Sequence, residues 1–379
     1  LGRTNKQPRP TKPPGSCRCV VCLEGRHHFG KSRHRICRAI GANESVADAR
    51  WAGGLLQQRV ARLGEPRLAT TFVLVTKTVV VTGVAGFIGS RVAARMVHEG
   101  FSVVGVDDLS SGKVANIPSS IDFVEGDLAV KGTFEKLPKQ CAAVLHLAGQ
   151  SSGEMSFDDP VADLHKNTVS TLNLIQYAMS VGAQRFVYAS SMSVYGNVPD
   201  APIAEDEHVA PLSCYGVGKL AAENYLAVFA KQLSSVNMRM FNVYGPGQDM
   251  SNLRQGMVSI YLAQALANKH IVVKGSLERF RDFIFIDDVV EAWFRAATFD
   301  GVGGNTINIG TGVRTTVAQV LETVKGHVVG TTVEVTDPTP GDQNGIYADT
   351  ARLRSILQMN EFVGFAEGVR RFSEFVKTA

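Results

Sequence analysis

Cysteine is scarce in the greater part of this 379-residue chain: only Cys141 and Cys214 lie beyond residue 40. They are too few and too scattered for a disulfide framework, and a reducing compartment is expected. Long apolar runs are missing too. The best candidate, TTFVLVTKTVVVTGVAGFIG, is interrupted by Lys77 and by glycines and falls short of the about 18–20 uncharged residues of a membrane span. The basic residues near the N-terminus are followed by no apolar core like that of a secretory signal. A membrane partner is therefore not expected, and a cytoplasmic enzyme is. Apolar content of 45% and charged content of 20% are ordinary for a globular protein. The length suits one large α/β domain with a smaller appendage.

The net charge of +4 conceals an uneven distribution. Residues 1–76 hold 14 Lys+Arg against 4 Asp+Glu, a net of +10; the remainder holds 25 against 31, a net of −6. The N-terminal stretch RTNKQPRPTKPPGS favours disorder by composition. Cys17, Cys19, Cys22 and Cys37, with His27, His28 and His34, are potential zinc ligands, but C-x-C-x2-C followed by a lone cysteine matches no familiar paired spacing. No metal site is expected. Basic charge by itself supports only non-specific nucleic-acid affinity, and no nucleic-acid partner is expected. Residues 1–74 read best as upstream sequence or a disordered basic extension, with translation beginning near Val73 or Val75; the first methionine is Met96.

From Lys77 the pattern becomes regular. TKTVVVTG has the look of a buried parallel strand, and Gly83, Gly86 and Gly89 then open a helix at GxxGxxG spacing. Glycines there let the backbone turn tightly and approach a pyrophosphate, while the helix N-terminus offers free N–H groups to the anion. A second strand ends at Asp107, 24 residues after Gly83. A carboxylate at that point accepts both adenosine ribose hydroxyls and repels a 2′-phosphate, which favours NAD over NADP; Asp108 strengthens the preference. IDFVEGDL, CAAVLHLAGQ, QRFVYASS and VNMRMFNVYG supply four further strands, with Asp127 closing the third of the series and within reach of adenine. Helical stretches such as NTVSTLNLIQYAMSVG separate them. Alternating strands and helices give a parallel, doubly wound sheet of the Rossmann type, with ligands at the carboxyl ends of the strands. The expected division is 75–242 for NAD binding and 243–379 for a smaller α/β substrate lobe, closed by the helix FAEGVRRFSEFVKTA with Phe365, Val369, Phe372, Phe375 and Val376 inward.

Within SCYGVGKLAAEN, Tyr215 and Lys219 stand four residues apart and project from one helix face. Gly216 and Gly218 each cost up to about 1 kcal/mol in a helix, so something other than propensity retains them; room for cofactor and substrate is the expectation.

With TGVAGFIG, HLAGQ, NTVST, YASSMSVYG, YGVGK, RMFNVYGPGQ, RDFIFIDDVVEAW, NTINIGTG and PGDQNGIYAD in that order, the chain resembles the extended short-chain dehydrogenase/reductase family, in its NAD-dependent sugar-nucleotide epimerase/dehydratase branch. The resemblance runs from about Lys77 to the C-terminus. It implies Tyr215 as catalytic acid/base, Lys219 as its partner and Ser191 as the hydroxyl beside them. It implies cofactor contacts at the three glycines, Phe87, Ile88, Asp107, Asp127, Leu128 and Asn167. Asn242, Arg281 and Asp342, together with Ser191, are implied for the sugar nucleotide, and a homodimer for the assembly. Thr339 stands where relatives often place a diphosphate-clamping arginine. A phenol of pKa about 10 needs ~4 kcal/mol of phenolate stabilisation to act as a base near neutrality; Lys219 and the positive nicotinamide ring are the expected sources.

The choice of reaction turns on another absence. Dehydratases resembling this chain carry an Asp-Glu pair after the hydroxyl residue, and decarboxylating relatives a glutamate; here Met192 and Ser193 follow Ser191. Elimination lacks its acid and base. What remains is NAD-dependent 4-epimerisation of a nucleotide-diphosphate sugar of the UDP-glucose/galactose type through a 4-keto intermediate, an isomerase reaction. A related reductase, dehydratase or uronate epimerase is the alternative, and a non-catalytic dinucleotide-binding protein the rival from another class.

Overall fold

The computed structural model describes residues 77–337 and 344–378. The N-terminal extension, Thr339 and Asp342 lie outside the described residues, as do the cysteines and histidines weighed above as zinc ligands.

Strands β1 (Thr78–Thr82), β2 (Ser102–Asp107), β4 (Ala143–His146) and β5 (Arg185–Ser191) form by β-branched and apolar runs that bury both faces of a sheet, whereas β3 (Asp122–Glu125) is exposed at Asp122 and Glu125. Helix α1 (Phe87–His98) joins β1 to β2. Helix α2 (Pro160–Leu164) passes through a π-helical turn, His165–Val169, into α3 (Ser170–Ser180). β6 (Pro202–Ile203), α4 (Cys214–Val228), β7 (Ser235–Met240) and β8 (Asn242–Tyr244) follow, so the expected sixth strand is broken at Phe241.

The large sheet has seven strands in the order β12-β7-β5-β4-β1-β2-β3, all parallel. Its last member, β12 (Asn305–Ile309), comes from beyond residue 243. α6 (Ile286–Thr298) likewise packs on the large sheet, burying Val289, Trp293 and Ala296 with α1 residues Val92 and Met96. The two lobes thus interleave along the chain instead of meeting once at 242. Period-two alternation decides the layers: Val79 and Val81 face α1 and α6, whereas Val80 faces α3 and α4 through Leu174, Ala178 and Ala222.

The remaining elements are α5 (Met257–Asn268), β9 (His270–Lys274), β10 (Phe280–Arg281), β11 (Phe283–Phe285), β13 (Thr315–Thr316), α7 (Val317–His327), β14 (Thr332–Thr336), β15 (Gly345–Ala348), α8 (Ala351–Ile356) and α9 (Phe365–Thr378). Most of them form a second core around Tyr261, Leu262, Phe285, Val320 and Phe372, whereas Leu353 of α8 packs in the core of the large sheet. In α9, Val369 and Phe372 are buried as expected, but Phe375 is 42% exposed. Buried Asp282 ties this lobe together, accepting from the amides of Thr311, Gly312 and Ala348 and from the Thr311 hydroxyl. No helix among the described residues is long and apolar enough to cross a membrane.

Candidate active site

The strand order reverses between β1 and β4, and the loops at their carboxyl ends open onto a cleft of about 410 Å³. Gly83 has φ +70, and a Cβ there would stand 2.7 Å from the Ala148 amide nitrogen. A Cβ at Gly89 would meet the Gly83 carbonyl oxygen at 2.0 Å, so α1 seats against the turn only because that residue is glycine. Gly86 is the N-cap of α1, without a side-chain cap and with no acid in the first turn. The amides of that turn are left for an anion.

Asp107, at the end of β2, is fixed by the amides of Ala85 and Leu109, both 2.9 Å from its oxygens. Burial pushes its carboxyl up, and those two amides pull it part of the way back. At Asp108 burial also works upward, but the Ser110 hydroxyl and amide and Lys166 outweigh it and hold the group low. Lys166, which the sequence reading missed, reaches Ser110 at 2.6 Å and Asp108 at 3.5 Å. Its position next to Asn167 was the available signal. Asp127 lies beyond the end of β3 and caps its own turn through the Ala129 amide.

Gly83, Gly86, Phe87, Ile88, Gly89, Asp107, Asp127, Leu128, Tyr215 and Lys219 all line this one cleft. Uncapped helix amides, a glycine cradle and a carboxylate at the end of β2 fit a dinucleotide such as NAD. Ser191 and Asn167 sit just behind the lining. Asn242 pairs with Phe283 between β8 and β11, and Arg281 lies on β10, both away from the lining. Burial and the neighbouring Arg279 push the Arg281 guanidinium down to about 10.

The π turn is built by side chains. Ser170 and Thr171 hydroxyls donate to the Lys166 and Asn167 carbonyls, groups that a π turn releases from regular helical bonding. Thr171 in turn bonds His146 Nε2 at 2.9 Å, and His146 Nδ1 meets the Thr82 hydroxyl at 2.8 Å. Burial holds His146 down to about 3, hence neutral. This chain fixes the Asn167 turn to β1 and β4.

Tyr215 and Lys219 share one face of α4, with the ammonium 5.5 Å from the phenol ring centroid and 5.1 Å from that of Tyr188. The nearby Ser191 hydroxyl favours the phenolate, yet burial dominates and pushes Tyr215 up to about 12. Burial likewise brings Lys219 down to about 8, opposed by Asp163. Burial thus works against the lowering of the phenol expected from Lys219 and the nicotinamide ring. Both groups are desolvated, and the ammonium lies over the ring rather than against the oxygen. The expectation for the glycines of α4 is corrected. A Cβ at Gly216 would stand 2.6 Å from the Ser193 carbonyl oxygen, and one at Gly218 3.2 Å from Asn167 Cβ. They admit the Ser191 turn and the π turn, not ligands.

The profile described as the NAD dependent epimerase/dehydratase family matches residues 79–310. The UDP-glucose 4-epimerase of Mycolicibacterium smegmatis is 36% identical over 309 residues, 78% of this chain and 97% of that protein. The solved UDP-glucose 4-epimerase of Thermotoga maritima with UDP-glucose superposes with a TM-score of 0.76 at 32% identity, covering 79% of this chain and 99% of the other. The Thermus thermophilus UDP-glucose 4-epimerase in complex with NAD gives 0.74 at 32%, covering 80% and 99%. With its family profile, its fold and its cleft in agreement, the chain belongs to the NAD-dependent epimerase/dehydratase family.

Proposed function

We infer that this protein is an isomerase that inverts C4 of a UDP-glucose/UDP-galactose-type nucleotide sugar, with NAD as its cofactor. One observation carries the choice within the family: the turn after Ser191 holds Met192 and Ser193, so no carboxylate stands there to drive elimination or decarboxylation.

Bound NAD supplies a reversible hydride acceptor at C4 and, when oxidised, a positive ring. We assign Tyr215, once deprotonated, to take the 4-OH proton and to return it to O4 after the 4-keto sugar has turned over and presents its other face for reduction. Ser191 holds O4 by a hydrogen bond as the carbonyl forms. Ser193 supports it, bonding the Ser191 oxygen from its amide at 3.2 Å and accepting from it at 3.1 Å. Lys219 provides positive charge beneath the ring of Tyr215. Asn167 shapes the wall beside Gly149. Asn242, Arg281 and Asp342 are assigned to the sugar nucleotide, with Arg281 and Arg279 as the cationic side that suits a diphosphate. Incubated with UDP-glucose, the protein should yield UDP-galactose on chromatography without net accumulation of NADH. Net consumption of added NADH, or a dehydrated sugar, would replace epimerisation by the reductase or dehydratase alternative.

A homodimer is part of this reading. α2 and α4 are neighbours, and they expose Val161 (64%), Leu164, Val217, Tyr225 and Val228 (74%). Apolar exposure of this kind on adjacent helices suits burial against a second copy. Val217→Asp should convert a dimer into monomer in sedimentation equilibrium; a wild-type protein that is already monomeric would refute the surface. A cytoplasmic setting fits the substrate class.

A further inference from the structure

Asp163 has no part in the mechanism above, yet it is 2% exposed beside the reacting pair. It lies in α2, which packs against α4. One oxygen accepts from Asn167 Nδ2 at 3.0 Å and from Gln150 Nε2 at 3.1 Å. The other accepts from no donor among the described residues. That oxygen lies against α4 at Gly218, the residue before Lys219: a Cβ there would stand 3.6 Å from it. On the other side, a Cβ on Gly149 would be 2.5 Å from Asn167 Oδ1 and 3.5 Å from Lys219 Nζ. Asn167 thus bridges the two, its amide nitrogen on the Asp163 carboxylate and its amide oxygen beside the Gly149 backbone that the Lys219 ammonium also approaches.

A buried carboxylate with an unused oxygen is costly, and packing alone would be served better by an amide or an apolar group. We propose that Asp163 is a positioning residue, the buried anion beside Tyr215 and Lys219, which sets the pH range over which the pair works. This rests on the assignment of those two residues given above. The other charged or titratable groups around it are committed or neutral. Glu223 on α4 is paired with Arg239, His146 on β4 is neutral, and burial keeps the Tyr188 phenol on β5 protonated. In the π turn Lys166 is engaged by Asp108 and His165 is exposed; Glu154 and Asp158, before α2, pair with Arg254 at the surface.

An anion at this point raises both partners: it disfavours the phenolate and favours the ammonium. Its removal must lower both together. Asp163→Asn, nearly isosteric, should move both limbs of the pH profile of kcat/KM for UDP-glucose to lower pH by about one unit. Activity one unit above the wild-type optimum should then fall about tenfold, while Asp163→Glu restores the profile. Near-ultraviolet tyrosinate titration of the NAD-loaded protein, read as the difference from Tyr215→Phe, should show the same downward move without any sugar present. Unmoved limbs and an unmoved tyrosinate midpoint, or a uniform loss of rate at every pH, would overturn the proposal. Wild-type protein that does not turn over UDP-glucose would refute the epimerase reading alone, because the tyrosinate titration still reports on Asp163. Asp163→Ser serves the same comparison should the asparagine variant fail to fold.

Discussion

Tyr215→Phe is expected to lower kcat by about 10³-fold, within the range that general acid–base catalysis contributes. The phenol is the group placed to move the 4-OH proton, and the neighbouring Ser191, whose hydroxyl donates to Ser193, has no base of its own. Phenylalanine keeps the ring that Lys219 covers at 5.5 Å and so preserves the packing of α4. The glycine cradle and Asp107 are untouched. The variant should therefore retain NAD, measured as nucleotide released on denaturation, while product formation disappears. An unaltered rate would remove Tyr215 from the mechanism, and loss of the nucleotide would make the effect one of binding.

Glu223→Ala should be the most damaging substitution for stability. Glu223 stands one turn beyond Lys219, and its two oxygens receive Arg239 Nε at 3.0 Å and Nη2 at 2.7 Å. The Ser190 hydroxyl also donates to it. The paired side chains are only 7% and 6% exposed. Removing the carboxylate strands a buried guanidinium and leaves Ser190, the neighbour of Ser191, without its acceptor. Breaking such a pair costs about 3–5 kcal/mol. For a domain of this size the melting temperature should fall by roughly 5–8 °C. The double substitution Glu223→Leu, Arg239→Met should recover a large part of that loss, since no unpaired charge remains. A melting temperature within a degree of wild type for Glu223→Ala would show the pair to be energetically idle.

What the sequence made legible was local. The GxxGxxG turn is a matter of backbone conformation within seven residues. Asp107 is fixed by its place at the end of a β-branched run, and Tyr215 and Lys219 by one helical turn. Each of these lines the cleft. What stayed hidden depends on residues far apart in the chain. β12 reaches the large sheet only after the second lobe has been built around β9 to β11. Gly216 and Gly218 look like openings for a ligand until Ser193 and Asn167 are seen against them. Asp163 carries no motif signal, because its meaning comes from α4, more than fifty residues on. The burial of the Tyr215 phenol was hidden for a related reason. A YxxxK spacing suggests charge near the phenol, whereas burial, which no spacing reports, exerts the larger effect.

The central claim, that one bound carrier removes hydrogen from C4 and gives it back to the same carbon, is tested most directly by isotope. UDP-glucose bearing deuterium at C4 should be converted to UDP-galactose with the deuterium still at C4 when the reaction is run in ordinary water. Loss of the label to solvent, or its appearance in released NADH, would contradict epimerisation by internal return.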